Sequence, residues 1–463
     1  MSGFRYAFSL SSDQVRDETP PGTISLSSHG SGVIEHGESA QGSELVLHPQ
    51  PTSSPLDPLN WPTWRKAAVL VCMSLYAAIG NFASASIASA FPLYETPLAF
   101  DPPVSLGSLT HLIAVNVLMM GAANIWWVPL ANTFGRRPII VGNVLLLVLC
   151  SMWSGLAKSF ESLLVARIFM GIAVAPADTI APSVVGEIFF THQRGRAMGF
   201  YTVCLCIGPL IGGISGGYIA GNKGLAWIHW VNVILSAILL VACATLVPET
   251  LFKRDQEPSS SRIAHSKETD AKPEAEIVEN MASASFSDHS NHQSLSATML
   301  KARKYDGNIL QKFIAPWKTL RLPGVWLVMF WYAGLVGGVV TITTVGPSII
   351  ASPPYLWGNN AGLIMVGGVV GGVLGFVVTG LTADRIVVTK SVLQGKSLVE
   401  PETRLPVAIP GLILATTGLW AFGFSAQNPG PTHMWLGMQF GIGMLSFGLM
   451  QAPSIGFNYV CIP

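Results

Sequence analysis

Long apolar runs alternate with short polar intervals over most of the chain. Ten runs approach the ~20 residues that a helix needs to cross a bilayer, and we number them spans 1 to 10. They lie at residues 66–92, 108–131, 138–157, 163–190, 195–220, 227–247, 324–351, 360–383, 405–426 and 433–462. A polar interval at residues 252–322 separates the first six spans from the last four. The pattern predicts an all-α membrane protein with one helical bundle at 65–251 and a second at 323–463.

The composition agrees with a membrane protein. Charged residues make up 11% of the chain and hydrophobic residues 50%, whereas a soluble domain carries roughly 25% charged residues. A net charge of +1 gives no basic surface for nucleic acid. The six cysteines all fall in apolar spans and predict packing side chains. No catalytic triad, metal-ligand spacing or phosphate loop is visible, so we expect no enzyme activity, no metal and no cofactor.

The distribution of basic residues orients the spans. One set of short loops and flanks contains ten Lys and Arg residues and the opposite set contains two. By the positive-inside rule, the N-terminus and the central interval at 252–322 face the cytoplasm. Residues 1–64 are polar and predicted to be disordered, and no cleavable signal peptide is visible. Residues 301–321 predict either a helix on the inner leaflet or a solvated linker.

Span 5 contains an unusual glycine-rich stretch. Residues 199–217 read GFYTVCLCIGPLIGGISGG, with six glycines and one proline. Such a stretch is a poor helix in water, where each interior Gly costs roughly 1 kcal/mol against Ala and Pro about 3 kcal/mol. In lipid only a helix satisfies the backbone, and small residues let helices approach closely. Span 5 is therefore predicted to be a bendable packing seam, typical of a moving transporter.

Two basic loops at equivalent places suggest an internal repeat. The loop after span 2 reads NTFGRR at 132–137, and the loop after span 8 reads GLTADR at 380–385. Repeated bundles joined by a long cytoplasmic interval are typical of secondary transporters, whose substrate site lies near the midplane between the halves.

With these loops the sequence resembles the major facilitator superfamily, and specifically its fungal drug:proton antiporters. The family's loop pattern is Gly-x-x-x-Asp-Arg-x-Gly-Arg-Arg. Matches to its first half are Gly380, Asp384 and Arg385, and matches to its last part are Gly135, Arg136 and Arg137. The first loop departs from the pattern, because Asn132 stands where the family has Asp.

Further matches lie elsewhere in the first half. They are Arg167 in span 4, the pair Glu187 and Arg194 below it, and Pro248-Glu249-Thr250 after span 6. The span 5 stretch is similar to the family's antiporter motif through Gly199, Gly208, Pro209, Gly212 and Gly213. The resemblance implies a major facilitator fold whose four-helix C-terminal bundle is incomplete, since family members have twelve spans. We therefore expect a truncated product, and a non-transporting fragment is one alternative.

Ionisable residues inside the membrane are the main candidates for chemistry, because an unpaired charge there is costly. Asp178 lies near the middle of span 4, and Arg167 lies about three turns closer to the extracellular side. Each is a candidate for proton coupling or substrate binding, with a structural role as the alternative. Four polar residues are predicted to face the same cavity, with helix packing as the alternative for each: Asn81, Asn116, Tyr332 and Gln439.

A second candidate cluster lies at the cytoplasmic ends of the spans. It consists of Arg136, Arg137, Glu187, Arg194, Asp384 and Arg385. These residues are predicted to form a gate of ion pairs, or simply to set the topology. The resemblance as a whole implies proton-coupled export of a small organic compound by a monomer, in the plasma membrane. Uptake of a cation or nutrient on the same fold is the other alternative.

Overall fold

The computed structural model describes residues 57–97, 99–252, 313–314, 317, 323–379, 408–428 and 433–460, together with two short strands. These strands, β1 (Ile24–Ser25) and β2 (Leu398–Val399), pair antiparallel. Within the described residues, nine helices are long and apolar enough to cross a membrane. Most of the segment predicted to be disordered, and nearly all of residues 301–321, lie outside the described residues.

The first half contains six spans. A short 3-10 turn, Pro58–Asn60, precedes them. Span 1 is Thr63–Ala85, continued by the 3-10 turn Ala88–Ala90 and the helix Phe91–Tyr94; span 2 is Leu106–Ala122 followed by Asn124–Phe134; spans 3 to 6 are Arg136–Leu156, Phe160–Ile188, Thr191–Lys223 and Ala226–Leu246. Gly135 and Gly224 have φ of 108° and 95°, so the turns before spans 3 and 6 use backbone that favours glycine.

The described residues of the second half form four long helices. Span 7 is Pro323–Ala351. Span 8 is Gly358–Thr379, and its first part, Gly358–Met365, is a 3-10 helix. Span 9 is Ala408–Gln427 and span 10 is Met434–Val460. Span 10 is not among the nine most apolar helices, because its glycines and two glutamines, Gln439 and Gln451, lower its hydropathy.

Helix packing places span 5 at the contact between the halves. In the first half, span 1 packs against spans 4, 5 and 6, and span 4 also packs against spans 2 and 3. In the second half, span 10 packs against spans 7 and 9. Spans 8 and 10 contact span 5, while span 7 contacts the turn at Ala88–Ala90.

Prolines inside span 4 free backbone carbonyls that neighbouring helices satisfy. Pro176 has no N–H to donate to the carbonyl of Ile172, and the indole of Trp127 donates to that carbonyl at 3.0 Å. The hydroxyl groups of Tyr76 and Tyr201 donate to two further span 4 carbonyls at 2.6 and 2.5 Å. Spans 1, 2 and 5 are thereby fixed around the middle of span 4.

Candidate functional site

Asp178 lies near the middle of span 4, within electrostatic range of Tyr332 in the second half. Helix geometry places it about 15 Å from the C-terminal end of that span. The side chain of Asn81 on span 1 lies within hydrogen-bonding reach of its carboxyl. Asp178 Oδ1 is buried and makes no hydrogen bond with the described residues. This carboxyl therefore has one oxygen with no donor.

Three tyrosines surround this carboxyl. Tyr76, Tyr201 and Tyr332 all lie within electrostatic range of Asp178. Tyr76 and Tyr201 belong to spans 1 and 5, whereas Tyr332 belongs to span 7 in the other half. The predicted cavity residues Asn81, Asp178 and Tyr332 are thus brought together. Sequence reasoning missed Tyr76 and Tyr201, although an aromatic hydroxyl in an apolar span was a visible signal.

The arrangement leaves the carboxyl two ways to gain a partner. The single ion pair between described side chains joins Arg136 and Glu187, so no basic side chain of the described part neutralises Asp178. A buried polar oxygen without a donor is costly in a low-dielectric setting. It can acquire a proton, or it can accept a hydrogen bond from a bound molecule. Both events can use the same oxygen, so they can compete.

Arg167 is fully buried and holds the broken end of span 1. Its Nη1 donates to the carbonyls of Ala83 and Ser84 at 3.0 and 3.3 Å, which are left without intrahelical partners where the helix stops. Asn116 donates in turn to the carbonyl of Arg167 at 2.9 Å and is itself fully buried. The amide nitrogen of Asn116 is thus used in packing, while its Oδ1 is buried and makes no hydrogen bond with the described residues. The prediction that Asn116 faces the cavity stays a prediction.

Two residues near Arg167 were not predicted. The hydroxyl of Tyr94 lies 3.3 Å from Nε2 of His229, and both residues are within electrostatic range of Arg167. His229 is buried near the start of span 6. A histidine inside an apolar span was the signal that could have identified it. This polar cluster lies toward the N-terminal end of span 4 and is separate from the surroundings of Asp178.

Gln439 joins two helices of the second half. Its Nε2 donates to the carbonyl of Leu363 at 3.4 Å, and a Cβ on Gly367 would overlap the Gln439 carbonyl. Its amide thus contacts span 8 from span 10. This contact supports the packing alternative for Gln439, and its place in the cavity stays a prediction.

The glycines of the antiporter motif face two different partners. Gly208 and Gly212 lie against the span 1 backbone at Ala78 and Phe82. Gly213 lies against Met365 of span 8. Span 5 is therefore a glycine-lined helix between span 1 of its own half and span 8 of the other.

The residues at the two ends of the motif also contact either span 8 or span 1. Gly199 lies against Phe376 of span 8, and Ser89 at the end of span 1 donates to the carbonyl of Gly213. Gly216, outside the predicted motif, continues the contact with span 1 at Ser86. Pro209 follows Gly208 and has no N–H to donate to the preceding turn of the helix.

The described residues of the predicted cytoplasmic cluster link helices within the first half. Arg136 Nη2 lies 2.5 Å from Glu187 Oε1, which joins spans 3 and 4. Arg137 donates to the carbonyl of Ala244 at 2.6 Å, and Arg194 donates to that of Gly186 at 2.5 Å. The predicted gate residues Asp384 and Arg385 lie outside the described residues.

Glu249 adds a contact that the sequence did not reveal. Its carboxylate accepts hydrogen bonds from the backbone N–H groups of Arg136 and Arg137 at 2.9 and 3.2 Å, at the start of span 3. Thr250 donates to Glu187 Oε2 at 3.2 Å. An anion at a helix N-terminus is favourable, so the segment after span 6 fixes both partners of the Arg136–Glu187 ion pair.

No group of three or more His, Cys, Asp or Glu side chains in the described part of the chain has the proximity needed to hold a metal ion. The five described cysteines are free thiols. The residues brought together around Asp178 are suited to hydrogen bonding and to holding a proton.

Two helical halves that cross a membrane, with a buried carboxyl at their junction, define a transmembrane transporter. The family model for the Major Facilitator Superfamily matches residues 59–460. The chain belongs to this superfamily.

Fungal transporters are among its relatives. An uncharacterized MFS-type transporter of Schizosaccharomyces pombe is 26% identical over 96% of this chain and 81% of its own length. The protein HOL1 of Saccharomyces cerevisiae is also 26% identical, over 96% of this chain and 84% of its own length. The efflux pump FUB11 of Gibberella moniliformis is 25% identical over 86% of this chain and 62% of its own length.

Solved structures share the fold. The xylose transporter XylE from E. coli, in a partially occluded inward-open conformation, superposes with a TM-score of 0.54 at 16% identity. The match covers 85% of this chain and 90% of that chain.

Proposed function

We propose that the protein is a proton-coupled exporter of small organic compounds that works by alternating access as a monomer. The observation that carries this proposal is the buried, donor-free Oδ1 of Asp178 at the junction of the halves. A proton and a substrate that compete for one carboxyl provide the simplest basis for antiport. We place the transporter in the plasma membrane, with the N-terminus and the central loop facing the cytoplasm.

Similar proteins support the direction of transport. Relatives named as efflux pumps occur in Gibberella moniliformis and Fusarium oxysporum, each 25% identical to this chain. An exporter that is coupled to protons in this way releases its substrate when a proton binds. If transport proceeds in the opposite direction, the same residues support proton-coupled uptake of a cation or nutrient.

The helix contacts supply a route for the movement. Span 5 has one glycine face against span 1 and another against span 8. The first face keeps the half together, while the second allows close sliding contact between halves. On the cytoplasmic side, the Arg136–Glu187 ion pair and Glu249 hold the ends of spans 3 and 4 as one body during that movement.

The test uses the full-length protein in proteoliposomes at zero membrane potential, with ethidium and rhodamine 6G, two cations that carry N–H donors, as probes. An acid-inside gradient is expected to drive accumulation of a probe, because proton exit is coupled to substrate entry. Asp178→Asn is expected to abolish this accumulation but to retain exchange of labelled for unlabelled probe. Glu161→Gln is the matched control, since Glu161 is exposed in the first turn of the same span.

Three outcomes would contradict the proposal. No pH-driven flux of either probe would argue against a proton-coupled exporter of organic cations. Wild-type accumulation in Asp178→Asn would remove Asp178 from the coupling step. Accumulation driven only by an acid-outside gradient would favour symport and the uptake alternative.

A further inference from the structure

A groove separates the predicted cytoplasmic ends of spans 1 and 5. Its volume is ≈540 Å³, and its lining residues are Leu70, Phe189, Gln193, Arg196 and Ala197. Three of these are apolar, and the two polar residues are on the first turns of span 5. The groove lies in the first half and far along the bundle from Asp178.

Helix packing explains why the groove is there. Spans 1 and 5 touch at Gly208, where a Cβ would overlap the backbone of Ala78. Leu70 lies eight residues before Ala78, about 12 Å closer to the cytoplasmic end. The groove lies below this contact, where Leu70 of span 1 and Ala197 of span 5 line it. The loop between spans 4 and 5 then closes the groove at Phe189.

Contacts beside the groove fix its floor. The ammonium of Lys66 lies 4.9 Å from the ring centroid of Phe190, the residue next to Phe189. Lys66 also donates to the carbonyl of Leu59 at 2.9 Å and is buried. The short turn before span 1 and the loop after span 4 are thus held against one another.

The polar residues of the groove are available to a ligand. The side chains of Arg196 and Gln193 are exposed, and neither forms a hydrogen bond or ion pair with the described residues. Trp64, 67% exposed in the first turn of span 1, marks this level as the membrane interface. A free guanidinium above an apolar groove at that level is complementary to a phosphate attached to an acyl chain.

We propose that this groove binds an anionic phospholipid of the cytoplasmic leaflet. The guanidinium of Arg196 and the amide of Gln193 receive the headgroup phosphate. The first part of an acyl chain packs against Leu70, Phe189 and Ala197. The lipid thereby fills the groove between spans 1 and 5, independently of the substrate and of the direction of transport.

The test measures lipid retained on the intact, purified protein by native mass spectrometry. Phosphatidylserine and phosphatidylcholine with the same acyl chains are added in equal amounts. The wild-type protein is expected to retain phosphatidylserine preferentially. Arg196→Gln should weaken this retention about fivefold, because the attraction between one basic residue and an anionic lipid contributes about 1 kcal/mol. Lys223→Gln is the matched control, with the same charge change at the other end of span 5.

A second variant tests the apolar part of the groove. Gln193→Trp places an indole at an exposed position and should reduce retention of phosphatidylserine without lowering the thermal stability of the protein. Displacement of bound phosphatidylserine by inorganic phosphate at equal concentration would overturn the lipid assignment. Equal retention of both lipids, or equal effects of Arg196→Gln and Lys223→Gln, would also overturn it.

Discussion

The glycine contact between spans 5 and 1 predicts that Gly212→Ala separates two helices. A Cβ at this position would lie 2.6 Å from the carbonyl oxygen of Phe82. Ordinary C···O contacts are about 3.3–3.6 Å, so the helices must move apart by roughly 0.7 Å or more. The obstacle is backbone, which cannot rotate away as a side chain can.

The expected cost follows from overpacking. Forcing an extra methyl group into a packed core costs about 1–3 kcal/mol. Alanine also favours a helix over glycine by about 1 kcal/mol, which hides part of the cost. Gly195 isolates that second effect, because a Cβ there meets nothing within 4 Å on the same span. We therefore expect Gly212→Ala to be about 1–3 kcal/mol less stable than Gly195→Ala.

The assay is the thermal unfolding midpoint of the purified protein, followed by tryptophan fluorescence at one heating rate. Gly80 provides a comparison in which the obstacle is a side chain and not backbone. A Cβ on Gly80 would lie 2.6 Å from a methyl group of Val174. Val174→Ala should rescue Gly80→Ala, because it removes the atoms in the way. Phe82→Ala should not rescue Gly212→Ala. Equal midpoints for Gly212→Ala and Gly195→Ala, or rescue by Phe82→Ala, would refute the backbone-contact explanation.

Three further substitutions test other contacts. Trp127→Phe removes the donor to the carbonyl of Ile172 and should cost about 0.6–2 kcal/mol, measured as a lower unfolding midpoint. The neighbouring Trp126→Phe should be near neutral. Equal effects of the two substitutions would contradict the role given to Trp127. Glu249→Gln removes the anion at the start of span 3 and should cost about 1 kcal/mol, with a smaller loss at high salt; an unchanged midpoint at low salt would contradict this. Arg167→Met removes the Nη1 donor to the carbonyls of Ala83 and Ser84 and should lower both the midpoint and the transport rate. A fully active and stable variant would show that the span 1 carbonyls do not need this donor.

The sequence was sufficient to predict the spans. Hydropathy located all ten helices within about four residues of their bounds, because the length that crosses a bilayer and the exclusion of charge from it are properties of the chain alone. The breaks after Ala85 and at Ala123 were not predictable in this way, since apolar residues continue through both. Their positions depend on contacts from other helices, such as the one from Arg167 to the end of span 1.

The candidate site was predicted in part. Asp178 and Asn81 stood out because polar side chains in apolar spans are costly. Which way each residue faces depends on the rotation of its helix, and one sequence does not specify that rotation. Asn116 and Gln439, both assigned to the cavity, also contact neighbouring helices, and His229 was overlooked. The two glycine faces of span 5 could not be distinguished for the same reason.

The most direct test of proton coupling measures the proton itself. Purified protein in weakly buffered detergent solution is mixed with a saturating substrate probe, and a pH indicator follows protons released to the solution. If substrate and proton compete for one carboxyl, the wild-type protein should release up to one proton per bound substrate, and Asp178→Asn should bind the substrate without releasing any. Binding without release in the wild-type protein, or undiminished release from Asp178→Asn, would contradict the account.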